Sequence, residues 1–328
     1  MNKINIIFTL FTLSILYGCS NQYAIKSPNK EHVLLTVDFH EGRTLRYEFV
    51  SDRETNIDWT SAESSSGNNE PVVDKSTEKL DLIMAYTPIK IDLYGLTTIK
   101  AECQAAKVTR TKDTQKDAAE YFSGKSYTFT ADSTGKIHDY SQLEDLIKQV
   151  AEKAFIDEPE LGRIKQPDMI GDFIAAQWFL WDSISSIKNP SQGVSIGQSW
   201  TSKLSVPTPM ISRLARNVTY KLDELRQNDN ESVAVISSTY SKSDSVPSEW
   251  PVPYKGRIRM RGTFGLLQSY KLIDLTGNGQ ELFNLDSGQI QEYNQQYNII
   301  IQASFPMGIS VKPIINIKQT ISMKLIEE

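Results

Sequence analysis

Apolar and polar residues alternate along most of the chain, which is the period of a strand with one buried face. In segment 44–50, for example, apolar residues take every second position and charged residues stand between them. Comparable runs rich in β-branched and aromatic residues recur between turn residues, one of them at 88–100. The longest runs are 289–304 and 309–327. We therefore expect antiparallel strands to dominate the fold.

The period changes to that of a helix in the middle of the chain. Ser141 and Glu144 form a capping box, and the apolar residues that follow are spaced three and four apart. This pattern predicts a helix over about 142–155. A second helix is predicted from Asp168 to about Ser186, with a broad apolar surface.

These patterns predict an α+β fold, predominantly antiparallel β, with two β regions that flank a central helical pair. The β regions are residues 33–140 and 191–328, and the helices occupy residues 141–190. Segments 127–140 and 282–293 share a strand, a turn with Asp, Ser and Gly, and a second strand. They are either a duplication or two hairpins with the same turn chemistry. Whether the β regions form one domain or two stays open.

Residues 1–18 have the pattern of a signal peptide. Lys3 precedes an apolar run that is shorter than the ~20 residues needed to span a bilayer. The run ends in Leu16-Tyr17-Gly18-Cys19, which resembles the lipobox of bacterial lipoproteins. The resemblance implies cleavage before Cys19, a diacylglyceryl thioether on its sulfur and acylation of the new amine. The alternative is an ordinary signal peptide followed by an accidental cysteine.

Lipid anchoring would place the protein in a bacterial cell envelope. Residues 19–32 are mostly polar and are predicted to be a tether between lipid and folded chain. If the organism has two membranes, Ser20 favours the outer membrane, facing the periplasm. A net charge of −5 argues against nucleic acid as a partner. The expected partners are the membrane, through Cys19, and an envelope protein or an apolar ligand.

Catalytic motifs are weak, and we predict no catalytic residue, metal site or cofactor. Gly193-Val-Ser195-Ile-Gly197 matches a nucleophile elbow, but a strand-like run follows it and all three histidines precede Ser195. Asp274–Gly279 loosely resembles a calcium loop, yet Leu285 stands where such a loop needs its last acidic ligand. A tight hairpin turn at Asn278-Gly279 explains this segment better.

Three aromatic residues of the second predicted helix are candidates for lining an apolar-ligand groove: Phe173, Trp178 and Trp181. The preferred interpretation is that they are core residues, which need only packing and a partner for each indole N–H. In the alternative, the sheet cups a lipid and the helix is its lid. The remaining cysteine, Cys103, is interpreted as a small buried apolar residue.

Three short segments resemble an uncharacterised family of bacterial lipoproteins, known as domain of unknown function 6263. They are His40–Tyr47, Gly124–Lys136 and Val194–Tyr220, and the resemblance covers about 33–240. It implies an envelope-exposed protein and supplies no activity or catalytic residue. Non-catalytic binding or scaffolding at the membrane surface is the favoured function, and a carrier of lipids or other apolar ligands is the alternative.

Overall fold

The computed structural model describes residues 32–59, 73–111, 116–156, 169–178, 180–206, 208, 214–228, 231–245, 267–304 and 312–327. Residues 32–328 form one compact unit. The predicted signal peptide, the lipobox with Cys19 and nearly all of the predicted tether lie outside the described residues.

Most of the described residues form one antiparallel sheet of eleven strands, which is accompanied by a sheet of two short strands. In chain order the strands are β1 (His32–Val33), β2 (Leu45–Asp58), β3 (Val73–Ile91), β4 (Thr97–Arg110), β5 (Lys125–Ala131), β6 (Ile137–Asp139), β7 (Val194–Ser195), β8 (Ser199–Ser205), β9 (Ala215–Asn228), β10 (Glu231–Lys242), β11 (Gln268–Asn284), β12 (Gln289–Ser304) and β13 (Ile314–Glu327). The large sheet has the order β6-β5-β4-β3-β2-β13-β12-β11-β10-β9-β8, and β1 pairs with β7.

One face of the large sheet is buried because apolar residues recur at every second position of its strands. In β13, Ile315, Ile317, Gln319, Ile321 and Met323 are buried, and the residues between them are exposed or half-buried. The helices and connecting segments contribute to the same hydrophobic core.

The helices are short. They are α1 (Ser141–Ile156), α2 (Ile170–Trp178) and α3 (Asp182–Ser185), with single 3₁₀ turns at Ala118–Phe122 and Pro190–Gln192. The predicted fold class, α+β with two β regions flanking a central helical pair, is wrong. Most of the residues that the structure describes lie in strands, and the second predicted helix is two short helices, α2 and α3. The two β regions are continuous, because β13 pairs with β2 along nearly its whole length.

The predicted hairpin turn at Asn278-Gly279 is also wrong, because both residues lie inside the continuous strand β11. Gly277 and Gly279 stand where neighbouring groups approach closely. A Cβ at Gly277 would lie 2.3 Å from the Gln296 carbonyl oxygen, and a Cβ at Gly279 would lie 2.7 Å from that of Asn294. These glycines therefore permit close strand contact rather than a turn.

The segment between β1 and β2 crosses one end of the sheet, which we call the crossing end. Three backbone hydrogen bonds hold it there: Val37 N–H donates to Ser133 O (2.8 Å), Asp38 N–H to Gly288 O (3.1 Å) and Gly42 N–H to Pro88 O (2.8 Å). The β3–β4, β5–β6 and β11–β12 turns all lie at this end. The chain therefore passes from the predicted tether into the sheet across the crossing end.

Candidate functional site

Two of the three predicted ligand-lining residues have described side chains, and both are packed against aromatic rings. Phe173 on α2 is 1% exposed and stacks on Phe122, with ring centroids 3.9 Å apart and planes 2° from parallel. Trp181 is 4% exposed and contacts Phe39 edge-on at 5.4 Å and Phe129 at 6.1 Å. The third residue, Trp178, ends α2, and its side chain lies outside the described residues.

A buried polar cluster attaches α2 to the sheet, and the sequence prediction missed it. Asp172 is fully buried and accepts hydrogen bonds from Ser51 Oγ (2.7 Å), Arg53 Nη2 (3.1 Å) and Gln319 Nε2 (2.6 Å). Burial raises the pKa of the Asp172 carboxyl, while Arg53 and Ser51 oppose that rise. Arg53 and Gln319 both lie at inward positions of alternating strands, and a polar residue at such a position needs a buried partner. That signal could have revealed the cluster.

The cluster continues across β3 and β4 through further ion pairs. Arg53 lies 3.4 Å from a Glu78 oxygen, and Arg110 Nε donates to the other oxygen at 2.8 Å. Arg110 also pairs with Asp117, which caps the 3₁₀ turn at Ala118–Phe122. These charges are therefore paired with one another in the sheet interior, which is how charged groups are normally accommodated there.

A second polar cluster lies under α3. Asp182 accepts hydrogen bonds from Tyr220 (2.7 Å) and Ser202 (2.9 Å), and Ser183 donates to Glu281 at 2.5 Å. Burial raises the pKa of Glu281 to about 7, and the Asp182 carboxylate adds to the rise. Glu281 therefore titrates near neutral pH, while the hydrogen bond from Ser183 joins it to α3.

The Ser195 hydroxyl has a histidine neighbour, although the sequence order argued against a hydrolase. Across the β1–β7 pair, Ser195 Oγ lies 3.1 Å from His32 Nδ1 and 3.3 Å from His32 Nε2. The nearly equal distances mean that neither nitrogen is aimed at the hydroxyl, whereas a general base needs one nitrogen aimed at it. The element that follows Ser195 is the strand β8, whereas a nucleophile elbow needs a helix after the serine.

Cys103 is 2% exposed, and burial raises its thiol pKa to about 12. It is therefore almost entirely protonated at neutral pH and a poor nucleophile. Among the residues that the structure describes, no three His, Cys, Asp or Glu side chains gather as metal ligands.

A cleft of about 340 Å³ lies beside β8. Its lining residues are Ile187, Lys188, Asn189, Gln192, Gly193, Val194, Gln198, Ser199, Trp200 and Thr201. Residues 198–201 are consecutive, and successive side chains of a strand point to opposite faces, so the cleft runs along the edge of β8. Trp200, one of the lining residues, is held by a hydrogen bond from its indole N–H to Ser183 O at 2.7 Å.

β8 is the last strand of the large sheet and pairs only with β9 among the described strands. The side chains of Ser199, Thr201 and Lys203 are exposed. An edge strand presents backbone N–H and C=O groups that can bind another extended chain. The cleft therefore combines a backbone edge with the amide, hydroxyl and ammonium groups of its lining.

The most exposed large apolar residues lie at the crossing end. In the β3–β4 turn, Leu93 is 100% exposed and Tyr94 is 95% exposed. The predicted strand over 88–100 is thus interrupted by this turn. Within the described part of the chain, no helix is long and apolar enough to cross a membrane.

Comparison with solved structures gives distant similarities. A structure of lipovitellin, concerned with its lipid–protein interactions, is similar over 89% of this chain with 12% identity and a TM-score of 0.40. This chain spans about a quarter (26%) of that one. A mutant porin of Rh. blastica is similar over 85% of this chain and 99% of its own, with 8% identity and a TM-score of 0.18. These scores are too low to support an argument about function.

Comparison with curated protein sequences gives no significant match. The model of a family of unknown function, DUF6263, matches residues 77–288. This match confirms the resemblance to the family over 77–240, while the segment His40–Tyr47 lies outside the matched residues. Because the match covers more than half of the chain, the protein belongs to the family of unknown function DUF6263.

Proposed function

We propose that this protein is a lipid-anchored component of a bacterial cell envelope that binds a partner without catalysis. The anchor is the lipid on Cys19, the residue that follows the lipobox-like Leu16-Tyr17-Gly18. Residues 20–31 are the proposed tether to the unit that begins at His32. In a two-membrane organism, Ser20 directs the protein to the periplasmic face of the outer membrane. More than one acyl chain is needed there, because a single chain binds membranes only marginally.

The observation that carries the binding function is the cleft along the β8 edge. Its volume of about 340 Å³ lies within the range of ligand sites. An extended polypeptide segment fits its chemistry best, because such a segment can pair with the β8 backbone while its side chains meet the cleft. Lys188, Gln192 and Gln198 are exposed and supply polar contacts beside the strand edge. The partner is therefore an envelope protein with an extended, accessible segment.

The interior supports binding at the edge over transport of an apolar ligand. Phe173 and Trp181, which would line a carrier groove, are buried against Phe122, Phe39 and Phe129. A carrier needs an apolar space that these contacts fill. The buried carboxylates are likewise engaged in hydrogen bonds or ion pairs, which favours a structural role for them over an acid–base one.

Changing Cys19 to alanine tests the anchor. We expect the variant to lose the mass of the acyl groups, because a thioether requires the cysteine sulfur, and to pass largely from the membrane fraction into the soluble one. The measurement is intact-protein mass spectrometry of the mature protein together with detergent-phase partitioning. Cys103→Ala is the matched control, since that buried thiol has no part in anchoring. A wild-type mass without acyl groups would contradict the anchoring proposal.

A photo-crosslinking residue at Thr201 tests the cleft in living cells. We expect a discrete protein adduct from Thr201, mapped to an extended segment of the partner, because Thr201 is exposed beside the strand edge. A synthetic peptide of that segment should bind the purified protein and compete with the adduct. The control position is Lys271, which is exposed on a strand inside the sheet. Equal adducts from both positions, or none from Thr201, would contradict the proposed site.

A further inference from the structure

The β3–β4 turn presents two large apolar side chains to water from a rigid backbone. Leu93 and Tyr94 are 100% and 95% exposed. Asp92 Oδ1 accepts hydrogen bonds from the N–H groups of Tyr94 (2.8 Å) and Leu96 (2.9 Å), and Gly95 N–H donates to Asp92 O at 3.1 Å. The turn is therefore held in a conformation that displays both side chains.

The composition of this turn fits a lipid interface. Single exposed apolar residues are common on protein surfaces, but here two adjacent large residues project together, and Ile89 near the same turn is 50% exposed. Tyrosine is favoured at membrane–water interfaces, because its ring is apolar and its hydroxyl stays hydrated. Lys90 is exposed beside the turn, where its ammonium group can reach lipid phosphates.

The turn lies at the end of the sheet that the chain crosses after the tether. Gly42 N–H donates to Pro88 O at 2.8 Å, and Ile91 N–H donates to Glu41 Oε1 at 2.7 Å, so the crossing segment contacts the base of this hairpin. Fully extended, residues 20–31 reach at most about 40 Å. A chain anchored at Cys19 is thereby kept near the bilayer, where even a weak second contact has a high effective concentration.

We propose that Leu93 and Tyr94 form a second membrane contact, inserting into the interfacial region of the bilayer and turning the crossing end toward it. This inference rests on the proposed lipid anchoring, because the pair alone binds a bilayer only weakly. The contact fixes the orientation of the sheet at the membrane surface.

The test uses the chain from Ser20 to Glu328, which keeps every described element. A histidine tag at its amino end holds it on vesicles of phosphatidylethanolamine and phosphatidylglycerol that contain a nickel-chelating lipid. The Leu93→Cys variant carries an environment-sensitive fluorophore, and Cys103 escapes labelling because it is 2% exposed. We expect a shift of the emission to shorter wavelength and quenching by a quencher on the lipid chains.

The matched control is the same label at Ile273→Cys. Ile273 is 40% exposed and lies on β11 toward the end of the sheet opposite the crossing end, so its label should stay in water.

Changing Tyr94 to serine in the Leu93→Cys chain should weaken the membrane contact about ten-fold, or about 1.4 kcal/mol. The fluorophore itself is apolar, so an unlabelled comparison is also needed. The Leu93→Ser/Tyr94→Ser double variant and wild type are sedimented with vesicles that lack the nickel lipid. We expect less of the double variant than of wild type to sediment with the vesicles.

Two outcomes separate this inference from the proposed anchor. If the label at Leu93→Cys behaves like the label at Ile273→Cys, the second contact is overturned, whatever the state of Cys19. If the label inserts but the mature protein from bacteria carries no acyl group, the anchor proposal fails and the membrane contact stands.

Discussion

Replacing Asp172 with alanine is expected to lower the free energy of unfolding by about 3–5 kcal/mol. The carboxylate accepts hydrogen bonds from Ser51, Arg53 and Gln319, all of them buried. Without it, the Arg53 guanidinium, 2% exposed, keeps Glu78 as an ion-pair partner but loses its fully buried one. Equilibrium unfolding in urea, followed by circular dichroism, measures the loss.

The double variant Arg53→Met/Asp172→Leu is the control for the Asp172 prediction. Replacing both charges with apolar side chains removes the buried charge along with its partner, so we expect it to recover most of the lost stability. The variant Asp172→Asn should fall between wild type and Asp172→Ala, because an amide oxygen still accepts hydrogen bonds. A loss below about 1 kcal/mol for Asp172→Ala would show that the cluster does not hold α2 on the sheet.

The individual strands and α1 follow from local pattern. Inward apolar positions in β2 and β13 alternate as a half-buried strand requires. The helical spacing after Ser141 corresponds to α1, which spans Ser141–Ile156. Ser141 is the first residue of the helix and not its N-cap, because Glu144 N–H donates to Tyr140 O at 3.1 Å. Each of these signals depends only on neighbours within a few residues, which is the range over which sequence periodicity carries information.

The arrangement of the strands does not follow from local pattern. The pairing of β2 with β13 joins the two β regions into one sheet, and it links residues about as far apart as the folded chain allows. The same holds for the Asp172 cluster, whose partners come from β2 and β13. In β11, the Asn278-Gly279 turn signal is overridden by close contact with β12. Tertiary contacts decide all three features.

The candidate sites also differ in whether local sequence pattern predicts them. The lipobox-like segment is contiguous and was predicted from the sequence, whereas the cleft combines β8 with the segment 187–194 and is visible only in the fold. The sequence pattern did not predict the β3–β4 turn, because Ile89, Ile91 and Leu93 continue the apolar alternation of the strand. Only Asp92 and Gly95 signalled a turn, and the exposure of Leu93 depends on where the sheet ends.

The preference for a binding protein over a carrier makes a second prediction, with a similar effect on stability. Replacing Phe173 with alanine should lower the free energy of unfolding by about 3–5 kcal/mol, because it leaves a cavity in a filled core. Phe173 is 1% exposed and stacks on Phe122, which is fully buried. Urea unfolding of Phe173→Ala, Phe122→Ala and the double variant should reveal a coupling of about 0.5–1.5 kcal/mol between the rings.

A carrier would respond differently at the same position. A side chain that lines a ligand groove contacts the ligand in the loaded protein and water in the empty one, so its removal costs little stability. Bound lipid is measured directly by native mass spectrometry of the chain from Ser20 after expression in a bacterial periplasm. We expect a mass without bound lipid and no uptake of added lipid. Two results together would favour the carrier. Wild type would carry one lipid per chain that Phe173→Ala does not carry, and Phe173→Ala would lower the free energy of unfolding by less than about 1 kcal/mol.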